Sequence, residues 1–251
     1  MAIGAHAPRR LIDDDRSRWL LIGRGDGKRN QKRNAKVGGA VTPTPRRNHQ
    51  SRPDDLRTVL HWYDFLCPFC YVGQHRTAIL VRHGFHVVEL PLQAHPDIPP
   101  GGISAGPRRG PMYAMLEREA RAAGLPLNWP PRLPDTRRAL AAAEWVRRHQ
   151  PDVFPAVHRK LFEAHFVLGE NLEDPAVVDA YARESGVDLA ALHAALADGS
   201  AMAAVAESET IARGYGVQGT PAWLLAQRLI SGLLPAAEFE RFAERAEQLP
   251  R

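Results

Sequence analysis

The chain has 251 residues, 44% of them hydrophobic, enough for a sizeable core in one large domain or two small ones. No run approaches the roughly 18 apolar residues of a membrane span, and "WLLIG" (19–23), behind the acidic "IDDD", is too short for a secretion signal. The net charge of +5 sits at one end: residues 1–55 hold 13 Lys and Arg against 6 Asp, a net +7, and the remainder carries 20 basic against 22 acidic residues, a net −2.

That placement argues against nucleic-acid binding by the folded body, because a folded binder carries its basic face on the domain. Residues 1–55, with "GRGDGKRNQKRNAKVGG", are too polar to offset their ordering entropy and read as a disordered basic segment whose partner is left open. Two cysteines in the whole chain suit a reducing compartment, so the expected location is cytoplasmic, with no membrane association.

Order is expected from about Leu56. "TVLHWYD" (58–64) is rich in β-branched and aromatic residues and reads as a strand. Pro68 suits the first turn of a helix that runs through "FCYVGQHRTAILVRHG" and stops at Gly84. "FHVVELPLQ" (85–93) reads as a second strand, which completes a βαβ unit. Pro and Gly then crowd a loop over 94–111.

Residues 112–215 read as a succession of helices. Asp135 or Thr136, Asp174 and Asp188 are expected as caps, and Gly124, Pro151, Gly186 and Gly199 as stops. "VQGTPAWLLA" (217–226) and "RLISG" (228–232) return to strand character, without the Gly- or Asn-rich turn that a hairpin between them would favour. "PAAEFERFAERAEQL" closes as an amphipathic helix. The order βαβ, helices, ββα predicts an α/β domain from 56–95 and 216–251, interrupted by an all-helical insertion over 96–215.

Both cysteines lie in "LCPFCYVG" (66–73), at the junction of the first strand and helix. A helix N-terminus stabilises an anion, so Cys67 is placed to become a thiolate, with Cys70 one turn on and within reach of a disulfide. Pro68 and Phe69 add no positive charge. Zinc would need two histidines to complete four ligands. His75 lies on the same helix, and His61, His83 and His86 are nearby without recognised ligand spacing. Two inert buried thiols are the third reading. The second feature is Pro221 in "QGTPAW", at the start of a strand; alone it reads as an ordinary trans proline.

Taken together, "DFLCPFCYVG", "QAHPDIPPGG", "LFEAHFVLGENLEDPAVVDAYARESGVD" and "ARGYGVQGTPAWLLA" resemble the DsbA-like thioredoxin-fold oxidoreductases, in their FrnE-like branch, over about residues 57–245. The resemblance implies a thioredoxin-like fold with a helical insertion. It also implies that Cys67 attacks, Cys70 resolves, and a cis-proline loop at Thr220 and Pro221 binds the substrate backbone. Asp64 matches an acid often seen before the motif and is expected to support the site or transfer protons. His75 is expected on the helix surface and His165 in an ordinary helical position or beside a groove. Trp62, Phe69 and Trp223 are expected as an apolar rim or as core.

The implied activity is dithiol–disulfide exchange on protein or small-molecule disulfides or thiols. It needs no metal or organic cofactor beyond the Cys67–Cys70 couple, and glutathione remains open as a co-substrate. The alternative is a glutathione-dependent isomerase or transferase of the 2-hydroxychromene-2-carboxylate isomerase or kappa type, in which a Ser generally stands at the position of Cys67. A binding or chaperone module is the third reading.

Overall fold

The computed structural model describes residues 56–248. The basic segment 1–55 and the last three residues lie outside the described residues, so the expectation of disorder for 1–55 is not addressed.

β1 (Thr58–Tyr63), α1 (Pro68–Arg82) and β2 (His86–Pro91) form the βαβ unit, with β1 and β2 parallel. α1 ends where Gly84 takes a φ of +76°, a conformation that costs a residue with a Cβ. Six helices follow: α2 (Pro111–Ala122), α3 (Arg137–His149), α4 (Phe154–Phe166), α5 (Pro175–Glu184), α6 (Leu189–Ala197) and α7 (Ser200–Gly214). Asp174 and Asp188 cap α5 and α6 as expected, accepting from the backbone N–H groups of Ala176 and Ala191. Thr136 precedes α3 but spends its hydroxyl elsewhere, on Asp64. A short ribbon within this stretch, β3 (Ile103–Ser104) against β4 (Arg132–Leu133), has no signal in the sequence.

The chain then re-enters the sheet through β5 (Ala222–Leu225) and β6 (Arg228–Ser231) and ends in α8 (Ala236–Glu247). The strand order is β2-β1-β5-β6, with β5 antiparallel to both neighbours. The hairpin between β5 and β6 exists without Gly or Asn: Ala226 and Gln227 both take positive φ, +47° and +63°. Two adjacent residues in that region match a type I′ turn, whose twist suits a hairpin.

Both faces of the sheet are covered, which is why all four residues of β5 are buried. Val59, Trp223, Leu225 and Ile230 pack with Ile79 and Leu80 of α1 and Phe239 of α8. On the other face, Trp62, Leu90, Ala222 and Leu224 pack with Ala212 of α7 and Val217. The largest cluster lies among α2 to α7 and reaches the first turn of α1 through Tyr63, Phe65, Cys67, Cys70 and Tyr71. Sheet and helical stretch are thus joined at the cysteine motif. Buried Arg76 adds a further tie, donating to the carbonyl of Leu234 (3.0 and 2.9 Å) and pairing with Glu119 of α2.

Candidate functional site

Cys67 is the N-cap of α1 and Pro68 its first helical residue. The turn into the helix is closed by the backbone: Cys67 N–H donates to the carbonyl of Asp64 (3.1 Å), and the Cys67 carbonyl accepts from Cys70 (3.0 Å) and Tyr71 (3.1 Å). The Cys67 thiol therefore sits over the unpaired N–H groups and the positive end of the helix. Tyr71 anchors this turn to the helical stretch, donating its hydroxyl to the carbonyl of Pro126 and stacking on Phe166 (4.9 Å).

The Thr220–Pro221 peptide is cis. This corrects the reading from the residues alone, which favoured trans, and agrees with what the family resemblance implies. The loop meets the first cysteine directly: the Cys67 thiol donates to the Thr220 carbonyl at 3.3 Å. Two segments 153 residues apart in sequence thus form one site. Beside them is a cavity of about 270 Å³, lined by Gly216, Gln218, Gly219, Thr220, Pro221, Ser231 and Gly232.

Both cysteines are free thiols and both are buried, Cys67 at 7% exposure and Cys70 at 0%. Burial opposes ionisation of each. At Cys67 it is outweighed by the lowering influence of the Cys70 thiol, the Thr220 side chain and the Cys70 backbone N–H, so its pKa falls below the ordinary thiol value. At Cys70, burial, the hydrogen bond to Cys67 and the Cys67 charge act together and push the pKa well up. The Thr220 hydroxyl is buried and has no hydrogen-bond partner.

Asp64 is fully buried and its carboxylate accepts three hydrogen bonds. Oδ1 accepts from Leu66 N–H (3.1 Å) and the Thr136 hydroxyl (2.7 Å), and Oδ2 from Ala94 N–H (2.8 Å). It thereby ties the motif turn to the segments after β2 and before α3. Burial raises its pKa, against the lowering effect of these bonds.

Trp62 and Trp223 are 0% exposed and belong to the core on opposite faces of the sheet, not to a rim. Phe69 is half-buried and packs on the large cluster. His75 is half-buried on α1. His165 is buried, with neither ring nitrogen partnered. Among the described residues no three His, Cys, Asp or Glu side chains are grouped to hold a metal ion. Sequence reasoning passed over a buried pair, His61 on β1 and Glu89 on β2. Its signal was faint: two polar residues in strands whose flanking residues are apolar, directly opposite once the strands pair.

A dithiol at a helix N-terminus, against a cis-proline at one end of a four-stranded mixed sheet, defines a thioredoxin-fold protein. The chain belongs to the DSBA-like thioredoxin domain family, whose family model matches residues 58–245. No curated protein matches the chain. Among solved structures it is similar to a 2-hydroxychromene-2-carboxylate isomerase, with 19% identity over 75% of this chain and 95% of that one and a TM-score of 0.61. A probable DsbA oxidoreductase from Streptomyces coelicolor shares 23% identity over 77% and 92%, also with a TM-score of 0.61. The cytosolic disulfide reductase DsbM from Pseudomonas aeruginosa, solved with GSH, shares 21% over 76% and 100%, with a TM-score of 0.55. At these identities the likenesses establish the fold.

Proposed function

We propose that the protein is a thiol–disulfide oxidoreductase in which Cys67 attacks and Cys70 resolves. The observation that carries this is geometric: Cys67 is the N-cap of α1, its thiol lies 3.3 Å from the Thr220 carbonyl of the cis-proline loop, and Cys70 follows one turn on. The opposite directions of the two thiols' pKa shifts support it. The Cys67 thiolate attacks one sulfur of a substrate disulfide, forms a mixed disulfide and releases the other sulfur as a thiolate. Cys70 then passes its proton to the thiolate released in the first step and attacks the Cys67 sulfur, which releases the second substrate thiolate and leaves the Cys67–Cys70 disulfide. Two electrons pass from the dithiol to the substrate, and the reverse sequence oxidises a substrate dithiol. One passage in either direction uses only the two cysteines; repeated reduction needs an external thiol to re-reduce the couple, and repeated oxidation needs a disulfide oxidant.

Thr220 has two roles in this reading. Its hydroxyl stabilises the thiolate, and with Pro221 it presents backbone and an adjoining cavity to a peptide or a small thiol. A cytoplasmic location fits a chain whose only two cysteines are the proposed couple. Among the described residues no single helix is long and apolar enough to cross a membrane.

The test is disulfide reduction by the full chain. Cys67→Ser is expected to abolish turnover, and Cys70→Ser to accumulate a mixed disulfide with the substrate, seen by mass spectrometry under non-reducing conditions. Undiminished turnover by Cys67→Ser overturns the reading.

A second reading, glutathione-dependent isomerisation or transfer, is favoured by the fold shared with the isomerase and with the reductase solved with GSH. It places glutathione at the same site, with Cys67 where such enzymes generally carry Ser. A glutathione titration followed by calorimetry separates the two: saturable binding without exchange at Cys67 supports the second.

A further inference from the structure

His61 is 1% exposed, lies opposite Glu89 in the parallel register of β1 and β2, and brings Nδ1 to 2.5 Å from the Glu89 carboxylate. A buried ionisable pair of this kind commonly adds little stability over apolar residues of the same volume. What it does here is hold a ring in place. The imidazole stacks on Trp223 with centroids 4.5 Å apart and planes 2° from parallel.

Trp223 stands two residues after Pro221 and touches α1 at two places. Its indole N–H donates to the Thr77 hydroxyl (3.3 Å), which also lies 3.4 Å from His61 Nδ1. The far edge of the indole lies against Gly73, where a Cβ would come within 3.3 Å of the ring and 3.8 Å of Pro221. Cys70, Gly73 and Thr77 follow one another at i, i+3 and i+7 on one side of α1. The indole is therefore a spacer between the cysteine helix and the cis-proline strand, with His61 as its backing. Displacing it changes the separation of Cys67 from Thr220, whose carbonyl accepts from the thiol at 3.3 Å and whose side chain lowers the Cys67 pKa.

We propose that His61, oriented by Glu89, is a positioning residue for Cys67, acting through Trp223 to set the gap between α1 and the Thr220–Pro221 loop. This rests on the thiol–disulfide reading only in making Cys67 the nucleophile. The ring, not the charge, does the positioning.

Two double variants separate these effects. His61→Ala with Glu89→Gln removes both ring and charge; His61→Phe with Glu89→Gln keeps a ring. Cys67 is read by its alkylation rate at pH 7 and by thiolate absorbance against pH, and folding by melting curves. The Ala variant is expected to titrate about one pKa unit higher and to alkylate about tenfold more slowly, and the Phe variant to stay within about twofold of the parent.

The proposal fails if the Ala variant keeps the parent's titration, or if the Phe variant falls as far as the Ala variant. Should the Ala variant not fold, Thr77→Val, which removes the acceptor for the Trp223 N–H, is expected to slow alkylation; an unchanged rate also overturns it. Alkylation reports on Cys67 whether or not disulfides are turned over. A parent chain without exchange activity would thus sink the oxidoreductase reading and leave this inference to be judged separately.

Discussion

At the scale of single residues, Asp64 illustrates how a buried charge can serve the site without touching the chemistry. Three donors from three segments converge on its carboxylate. Asp64→Ala would leave two N–H groups and a hydroxyl enclosed without an acceptor. At about 1–3 kcal/mol for each unmet group, a loss of roughly 3 kcal/mol or more of unfolding free energy is expected in denaturant titrations. Asp64→Asn keeps an acceptor for Leu66 and Thr136 but turns an NH₂ toward Ala94 N–H. The Asp64 charge also raises the Cys67 pKa, so this variant is expected to lose stability and to move the pH profile of Cys67 alkylation toward lower pH. An unmoved profile would leave Asp64 as a tie alone.

Among the elements, the β5–β6 hairpin closes through two non-glycine residues at positive φ. Each such residue costs about 1–2 kcal/mol relative to a right-handed conformation, a cost Gly avoids and Asn reduces. Ala226→Asn with Gln227→Gly is therefore expected to stabilise the fold by about 1 kcal/mol and to raise the melting temperature by about 2–4 °C. A lowered melting temperature would refute this account of the turn. The absence of Gly or Asn in the sequence had weakened the case for a hairpin. The turn forms because β5 lies between β1 and β6 and buries all four of its residues, and this packing outweighs the local preference.

For the molecule as a whole, acid sensitivity should come from two enclosed histidines. His158 lies against Tyr63, Phe65 and Phe162, and His165 against Phe166. Burial lowers both from 6.5 to about 4. Because the unfolded chain binds these protons more readily, the stabilisation is fully present above pH 6.5. It is lost as the pH falls toward about 4. The shifts place an upper limit of about 3 kcal/mol on each residue. Burial works the other way at Asp64, whose contribution is lost as pH rises, which moderates the low-pH end. Melting temperatures should drop between pH 6.5 and 4, and His158→Phe with His165→Phe should flatten that drop. A drop of the same size in the double variant would place the acid sensitivity elsewhere.

Most of the local architecture could be read from residues alone. Period and punctuation marked the strands and helices, Asp174 and Asp188 marked their caps, and Pro68 between the cysteines marked the helix start. These features are local: each depends on dihedral preference or a hydrogen bond within a few positions. The placing of Cys67 at a helix N-terminus was likewise local, but neighbouring residues left three readings of the cysteine pair open. The bringing together of Thr220 with Cys67, the stacking of His61 on Trp223, and the convergence of Leu66, Ala94 and Thr136 on Asp64 were decided by the tertiary structure. Each joins segments far apart in the chain, and the partner of a buried polar group is chosen by which backbone and side chains the packed core brings within about 3 Å of it.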